Sequence, residues 1–511
     1  MTTIASLLEE RARQRPEQIY LDGPVGRETY AQINRRVNRA AALLTSLGLA
    51  KGGRAALLLG NCPQFLHLWW GLMKLGAVMV PVNLRLTARE AAYVINHSGA
   101  QVAVLGPASR GMLAELKPAC PEVRHWLDQD DLAALTNLPG QDPPAAAQAD
   151  DPAAILYTSG TTGFPKGVLH SQANYLRTAR AFVETAALVE SDRLFTANPL
   201  FHVNAQFYSA LGSMLAGATL ILAEKFSASR LWGWTRQYQA NKAVMLLALT
   251  TILYNQEPRP DDADNPLDLV VAGGAPKGHY QDFERRFGVR LQTLYSLSES
   301  PLALMGRQEE DCLEGSVGRP MLTPASEPNQ VQVFDDQDRR APAGQPGQIV
   351  IKNSAMMLGY YQDPEATEQA LAGGWLHTGD RGSSDAQGHI YFLGRLKDVI
   401  RKKGENVSAA EVEAIIAGHP AVLEAAVLGV ETPDALGEEE ILACLAWKPG
   451  QSAAWPELVA HCAALLADFK VPRLWLALES LPKNAMNRVV KAELKSAVAK
   501  LAAGDLYDRG R

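Results

Sequence analysis

A chain of 511 residues is too long for one hydrophobic core, so two or more domains are expected. Its 47% hydrophobic and 20% charged residues are those of a globular protein in water, and a net charge of −6 excludes a general nucleic-acid-binding surface. Five scattered cysteines, Cys62, Cys120, Cys312, Cys444 and Cys462, without Cys-x-x-Cys spacing, argue for a reducing compartment and against a disulfide frame or a zinc site.

Met1 to Ser6 lack a basic n-region, so no secretory signal is expected and the cytoplasm is the default location. Residues 5–14 and 30–48 have helical periodicity: Tyr30, Ile33, Val37, Ala41, Leu44 and Leu47 share a face, and Gly48 is the stop signal. Residues 55–59 read as a short buried strand. The apolar region 65–82 is broken by His67, Lys74 and Gly76. It predicts a helix over Pro63–Leu75 and a strand over 78–82, not a membrane span. This alternation implies an α/β layer with mainly parallel strands. Residues 137–152, rich in Pro, Ala and Asp, read as an exposed connector.

The next stretch is chemically dense. An apolar strand, 153–157, leads into Thr158-Ser-Gly-Thr-Thr-Gly-Phe-Pro-Lys-Gly167, and a helical pattern follows over 173–187. Glycines let backbone N–H groups approach an anion, the hydroxyls add donors, and Lys166 supplies a point charge for phosphate oxygens. Lys166 stands three residues after Gly163, so this is not the Walker spacing. A flexible Ser/Gly linker would need neither the flanking strand nor the Pro-Lys-Gly stop.

Thr158 to Gly167 resemble the phosphate loop of the adenylate-forming superfamily: acyl-CoA synthetases, aryl-CoA ligases, firefly-type luciferases and peptide-synthetase adenylation domains. Its pattern is two hydroxyl residues, Gly, two hydroxyl residues, Gly, any residue, then Pro-Lys-Gly, and the match is complete. The resemblance implies that Thr158, Ser159, Gly160, Thr161, Thr162, Gly163 and Lys166 contact ATP.

Beyond the loop, the α/β series continues with strand 194–198, helix 206–216, strand 219–223 and helix 227–239. Short buried strands follow at 244–247, 267–271 and 291–294. Residues 315–395 alternate between Pro/Gly turns, which predicts a β-rich subdomain. Residues 409–511 carry their own pattern: helix 409–418, strands 423–430 and 440–447, helix 455–468, and a frayed tail after Ala502. No repeat with a period of 20–50 residues is visible.

Five further stretches fall in the superfamily's order, and what they imply is carried by that likeness. Asn198-Pro-Leu-Phe-His202 resembles its Pro-x-Phe-His turn, which places His202 at the carboxylate and Asn204, Gln206, Gly273 and Ser300 in the acid pocket; Gly274, Ala275 and Pro276, in a Gly-rich turn after a strand, would pack on adenine. Tyr295-Ser-Leu-Ser-Glu-Ser300 resembles the Tyr-Gly-x-Thr-Glu motif. Tyr295 would stack on adenine beside Ser296, Ser298 would donate to the α-phosphate, and Glu299, with Thr158, would hold Mg²⁺. Here Ser296 replaces the usual Gly and Ser298 the usual Thr.

Gly374-Trp-Leu-His-Thr-Gly-Asp380 matches the motif whose aspartate, Asp380, accepts from the ribose hydroxyls. Gly394-Arg-Leu-Lys-Asp-Val-Ile-Arg-Lys-Lys-Gly-Glu-Asn-Val407 resembles the hinge motif. Arg395 would bind ribose or phosphate, Lys397 would be the hinge, and Gly404, Glu405 and Asn406 would line the CoA tunnel, while Arg401, Lys402 and Lys403 read as a solvated basic run. In Leu481-Pro-Lys-Asn-Ala-Met-Asn-Arg-Val-Val-Lys491 the usual catalytic lysine aligns with Arg488 and the preceding glycine with Asn487; Lys483 and Lys491 are poorly placed substitutes. Arginine keeps the cation but is not interchangeable with lysine at a fitted site.

The implied fold is α/β: a large N-terminal AMP-binding domain over 1–394 with a β-rich subdomain, and a small, mobile C-terminal α+β domain over 395–511. The implied catalytic residues are Lys166, Glu299, Arg488 and His202. The implied function is an ATP-dependent acyl-CoA ligase using Mg²⁺ and CoA on a small carboxylic acid, as a homodimer, with no nucleic-acid partner and no membrane span. The second function carried forward is an enzyme that passes its activated group to an amine without CoA, as amide synthetases and nitrite-activating diazotases do.

Overall fold

The computed structural model describes residues 2–130, 132, 147–158, 165–273, 279–307, 310, 313–396, 399–402, 405–430, 432, 439–466, 468–484, 488–498 and 506–509. The chain divides into two compact units, Met1–Val331 with Val350–His377, and Gln332–Ile349 with Thr378–Arg511.

The first unit is built on two sheets. One runs, in spatial order, Arg319–Pro320, Leu304–Met305, Arg290–Tyr295, Leu269–Ala272, Lys242–Met245, Arg193–Thr196, Thr219–Leu222, Ile19–Asp22 and Glu28–Thr29. Its strands from Arg290–Tyr295 to Ile19–Asp22 are all parallel, and the edges are antiparallel. Phe195, Ile221, Ala243, Val270 and Leu291 project from it onto Phe283 and Phe287. Burying an aromatic or branched side chain of this kind stabilises by roughly 1.5–3 kcal/mol.

The other sheet runs Gly359–Tyr360, Lys166–Ser171, Pro152–Thr158, Val78–Pro81, Arg54–Leu58, Val102–Leu105 and His125–Asp128. The helix Pro63–Leu75 starts on a proline, stops at Gly76 with φ +67°, and is buried along nearly its whole length. Its two polar interruptions are neutralised inside the protein: His67 pairs with Glu28 at 2.9 Å, and the Lys74 ammonium reaches Glu9 at 2.6 Å and Asn38 at 2.7 Å. Among the described residues no helix is long and apolar enough to cross a membrane.

Several expectations need correction. The helix expected from Ala173 is present, but a strand that was not foreseen precedes it. Lys166–Ser171 forms a strand that folds back antiparallel on Pro152–Thr158, and the helix Gln172–Thr185 starts only after Ser171 caps it through Asn174. The hairpin needs Gly167, because a Cβ there would lie 2.6 Å from the Ile155 side chain. Between 83 and 136 the sequence reading assigned no elements. The structure has helices Ala88–Ser98 and Leu113–Ala119 and strands Val102–Leu105 and His125–Asp128 there.

The second unit contains most of a four-stranded sheet, Gln330–Phe334, Gly347–Lys352, Leu376–Ser384 and Ile390–Arg395, and the hairpin Val399–Lys402 with Glu405–Ser408. It also holds a four-stranded sheet in the order Val422–Val430, Glu440–Trp447, Leu474–Leu478 and Tyr507–Asp508. Ile400, Val407, Val412, Ile416, Val427 and Trp475 form its core. The tail is not wholly frayed: Tyr507–Asp508 pairs with Leu474–Leu478, Tyr507 stacks on Trp455, and Arg473 holds Asp508 at 2.9 Å. Lys402 is likewise no solvated charge, for it is buried against Glu440 at 2.6 Å.

Candidate active site

In an open parallel sheet, ligands bind outside the carboxyl ends of the strands, where loops diverge. The predicted acid-site residues gather at those ends. Asn198 follows the strand Arg193–Thr196, and its amide donates to the Val244 carbonyl at 3.0 Å and to the Asn204 side chain at 2.6 Å. Asn61 braces the same turn, donating to the Asn198 carbonyl at 3.0 Å and accepting from the Leu200 N–H at 2.7 Å. His202 and Asn204 are half-buried at the mouth. Asn204–Ala210 is a π-helical turn, with Leu211 N–H bonded to the Gln206 carbonyl, a geometry frequent at functional sites.

Most of the rest of that turn is engaged, although the buried Ser209 hydroxyl has no hydrogen-bond partner among the described residues. The Gln206 amide is buried, accepts from Tyr175 and donates to the Leu200 carbonyl at 2.7 Å, and Phe207 stacks on Tyr175 at 3.8 Å. Tyr208 donates to the Pro301 carbonyl and receives the Ser296 hydroxyl. Gly273, after the strand Leu269–Ala272, lies against Leu247, where an added Cβ would meet another Cβ at 3.2 Å. Ser300 is buried, donates to the Leu302 carbonyl at 2.9 Å and accepts from Asn353.

The phosphate-loop strand and the 295–300 turn meet. His170 donates from Nε2 to the Ser298 carbonyl at 2.6 Å, Met357 N–H donates to the Glu299 carbonyl at 2.7 Å, and Asn174 donates to the Met356 carbonyl at 2.8 Å. Burial pushes the His170 imidazole down to about 4, the Ser298 carbonyl opposing. Tyr360 stands between Lys166 and Glu299: its hydroxyl donates to Glu299 Oε1 at 2.8 Å, and the Lys166 ammonium lies 4.9 Å from its ring centre. Lys166 also pairs with Asp363 at 3.5 Å, and Thr158 is its cross-strand neighbour. Tyr295, Ser296, Ser298 and Glu299 are half-buried around this point.

The second unit brings together another set. Thr378 donates to the Ile349 carbonyl at 2.6 Å and accepts from the Asp380 N–H at 3.0 Å, fixing the turn before Asp380. Asp380 pairs with Arg395 at 2.8 Å across adjacent strands. Arg488 sits on a hairpin closed by Asn484, which donates its N–H to the Arg488 carbonyl at 2.8 Å and accepts the Arg488 N–H on its side chain at 3.0 Å. The Arg488 side chain is exposed, yet crowding by the protein and then the charge of Arg395 hold its guanidinium below the ordinary value, with Asp380 opposing. Lys483 and Lys491 are tied elsewhere, to Glu424 at 2.5 Å and Glu413 at 2.8 Å. Ser159, Gly160, Thr161, Thr162, Gly163, Gly274, Ala275, Pro276, Lys397 and Gly404 lie outside the described residues, and of Glu405 and Asn406 only the strand they belong to is described.

The sequence itself answers to a known family: the family of AMP-binding enzymes matches residues 8–361, and that of the AMP-binding enzyme C-terminal domain matches 411–488. The chain belongs to the AMP-binding enzymes. Among relatives of this AMP-binding enzyme, the crotonobetaine/carnitine–CoA ligase of Salmonella enteritidis is 35% identical over 499 residues, covering 93% of this chain and 94% of that protein. The Citrobacter koseri protein of the same name is 36% identical over 494 residues, with the same shares. The crystal structure of the anthranilate CoA ligase AuaEII with anthranoyl-AMP superposes with a TM-score of 0.89 at 25% identity over 98% of both chains. That of o-succinylbenzoate CoA synthetase from Bacillus subtilis with its acyl-adenylate gives 0.85 at 26% identity, over 97% of this chain and 99% of that one.

As in those enzymes, a large α/β N-terminal domain precedes a small C-terminal one. The donor set of this AMP-binding enzyme fits Mg²⁺. Glu299 offers one oriented carboxylate and Thr158 a hydroxyl, hard oxygen donors for a cation that takes one or two carboxylates and binds mainly through phosphate. Sequence reasoning missed Tyr360, Asp363 and His170. Tyr360 follows a glycine in a stretch that reads as a turn, and its role arises from a contact 61 positions away.

Proposed function

We propose that this AMP-binding enzyme is an AMP-forming acyl-CoA ligase that activates a small, functionalised carboxylic acid. The observation that carries the reading is the meeting of Lys166 and Glu299 at Tyr360, which assembles a phosphate-binding cation and a metal-binding carboxylate in one place. The acid carboxylate attacks the α-phosphorus of ATP, giving acyl-AMP and pyrophosphate. Lys166 and the loop hydroxyls stabilise the charge that spreads over the phosphate oxygens, because such transfers depend mostly on positioning and electrostatics. Glu299 and Thr158 would hold Mg²⁺, which would supply further neutralisation of the triphosphate. Asp380 takes the ribose hydroxyls and Arg488 bridges carboxylate and phosphate, where the resembled motif has its lysine. The C-terminal domain then turns about Lys397, and the thiol of CoA displaces AMP to give the thioester.

Support for a small acid comes from the buried Tyr175, Gln206, Phe207 and Tyr208 packed next to His202 and Asn204, and from Ser296 standing where the resembled motif has glycine. The names of the curated relatives make a short acid bearing a cationic or hydroxyl group the first to try. The free cysteines Cys62, Cys120, Cys444 and Cys462 support a cytoplasmic enzyme, and a homodimer is the assembly we expect.

The test is pyrophosphate release over a panel of acids, with and without CoA. One short acid should give pyrophosphate and, with CoA, a thioester, and Glu299→Ala and Lys166→Ala should lose pyrophosphate release. Arg488→Lys should keep or raise it, and an unimpaired Arg488→Ala enzyme would remove that residue from the mechanism. An acid that yields pyrophosphate but never a thioester, while an added amine is consumed, would overturn the CoA ligase reading.

A further inference from the structure

We infer that Tyr360 is a positioning residue that keeps Lys166 and Glu299 apart and aims both at the nucleotide, its hydroxyl setting the glutamate and its ring seating the ammonium. The inference rests on the reading that Lys166 and Glu299 serve the triphosphate and its metal.

The backbone at Tyr360 is fixed from three sides. It pairs with Val168 in the sheet, its N–H donates to the Thr367 hydroxyl at 2.9 Å, and its carbonyl accepts from Asp363 N–H at 3.2 Å. Gly359 holds φ at +145°, and a Cβ there would meet Thr367 at 2.9 Å, so the approach to Tyr360 is specified by a glycine. Asp363, which steadies Lys166 at 3.5 Å, is itself held as the cap of the helix Pro364–Ala370, accepting from Ala366 N–H at 3.0 Å. A phenol is suited to this place on physical grounds. A lysine and a glutamate on flexible stems form an ion pair when nothing separates them, and each is then directed at the other rather than at the nucleotide. Tyr360 gives Glu299 a neutral donor and Lys166 a polarisable face, so both are oriented without pairing with each other.

The experiment separates the two contacts. Tyr360→Phe keeps the ring and removes the hydroxyl, and Tyr360→Leu removes both. ATP binding is measured calorimetrically without metal and with Mg²⁺, and pyrophosphate release is split into kcat and the KM for MgATP. Tyr360→Phe should raise the half-saturating Mg²⁺ concentration about tenfold, the worth of a hydrogen bond to a charged group, with metal-free ATP affinity unchanged. Tyr360→Leu should in addition weaken metal-free ATP binding by roughly two- to fivefold, as expected for a lost cation–π contact. If both variants bind ATP and respond to Mg²⁺ like the parent while Glu299→Gln and Lys166→Ala do not, Tyr360 has no positioning role. If Glu299→Gln and Lys166→Ala leave binding untouched as well, the phosphate-site reading itself fails. Should Tyr360→Leu not fold, the Mg²⁺ response of Tyr360→Phe decides alone.

Discussion

His170 shows how a residue outside the chemistry sets its geometry. Both ring nitrogens are used, Nε2 on the Ser298 carbonyl and Nδ1 on the Asn174 amide, so the imidazole must stay neutral. Its folded pKa of about 4 lies below the value of an exposed imidazole. Between pH 6.5 and 4 the unfolded chain therefore binds a proton that the folded protein does not, and stability falls as the pH is lowered through that window. A His170→Gln protein should lose less stability across it, by up to about 3 kcal/mol, as read by urea unfolding at both ends. At this scale the sequence was legible where chemistry is local. Lys166, Glu299 and Asp380 sit in stretches that resemble the superfamily's motifs. His170 and Tyr360 were not, since their meaning lies in partners 128 and 61 positions away.

Among the elements, the hairpin Pro152–Thr158/Lys166–Ser171 positions Lys166, the proposed phosphate-site lysine, and Gly167 is its tight point. Gly167→Ala would drive a methyl into Ile155, a fully buried β-branched side chain that yields poorly. Overpacking of this kind costs roughly 1–3 kcal/mol. The variant should unfold at lower urea and bind ATP more weakly; an unchanged unfolding curve would show that the hairpin has slack. Long helices such as Tyr30–Ser46 and Pro63–Leu75 were readable from their apolar period and stop signals. Strands such as Val102–Leu105 were not. Four residues buried on both faces carry no alternation, so their pattern alone does not separate them from helix, and only some such strands, Val78–Pro81 and Thr219–Leu222 among them, were read. The fold-back after Lys166 was missed for a related reason, because glycine and hydroxyl density says loop and is silent on how soon pairing resumes.

For the whole molecule, length alone required more than one domain, and the motif order supplied the sequence of parts. Composition misled at the basic run near 401–403, where charge suggested solvent and the fold instead encloses Lys402 with Glu440. Removing one partner from an enclosed ion pair leaves the other unpaired, which typically costs several kcal/mol. Arg473, 3.9 Å from Glu440, offsets part of this. Lys402→Ala should therefore destabilise the protein by about 2–4 kcal/mol, and calorimetry should show the loss in the transition of the C-terminal unit with that of the larger unit unmoved.

The last described residues bring a practical consequence. Tyr507 and Asp508 are stitched to the rim of a sheet and shield Trp455, so shaving even a handful of amino acids from that extremity would unpick a seam and bare an indole to water.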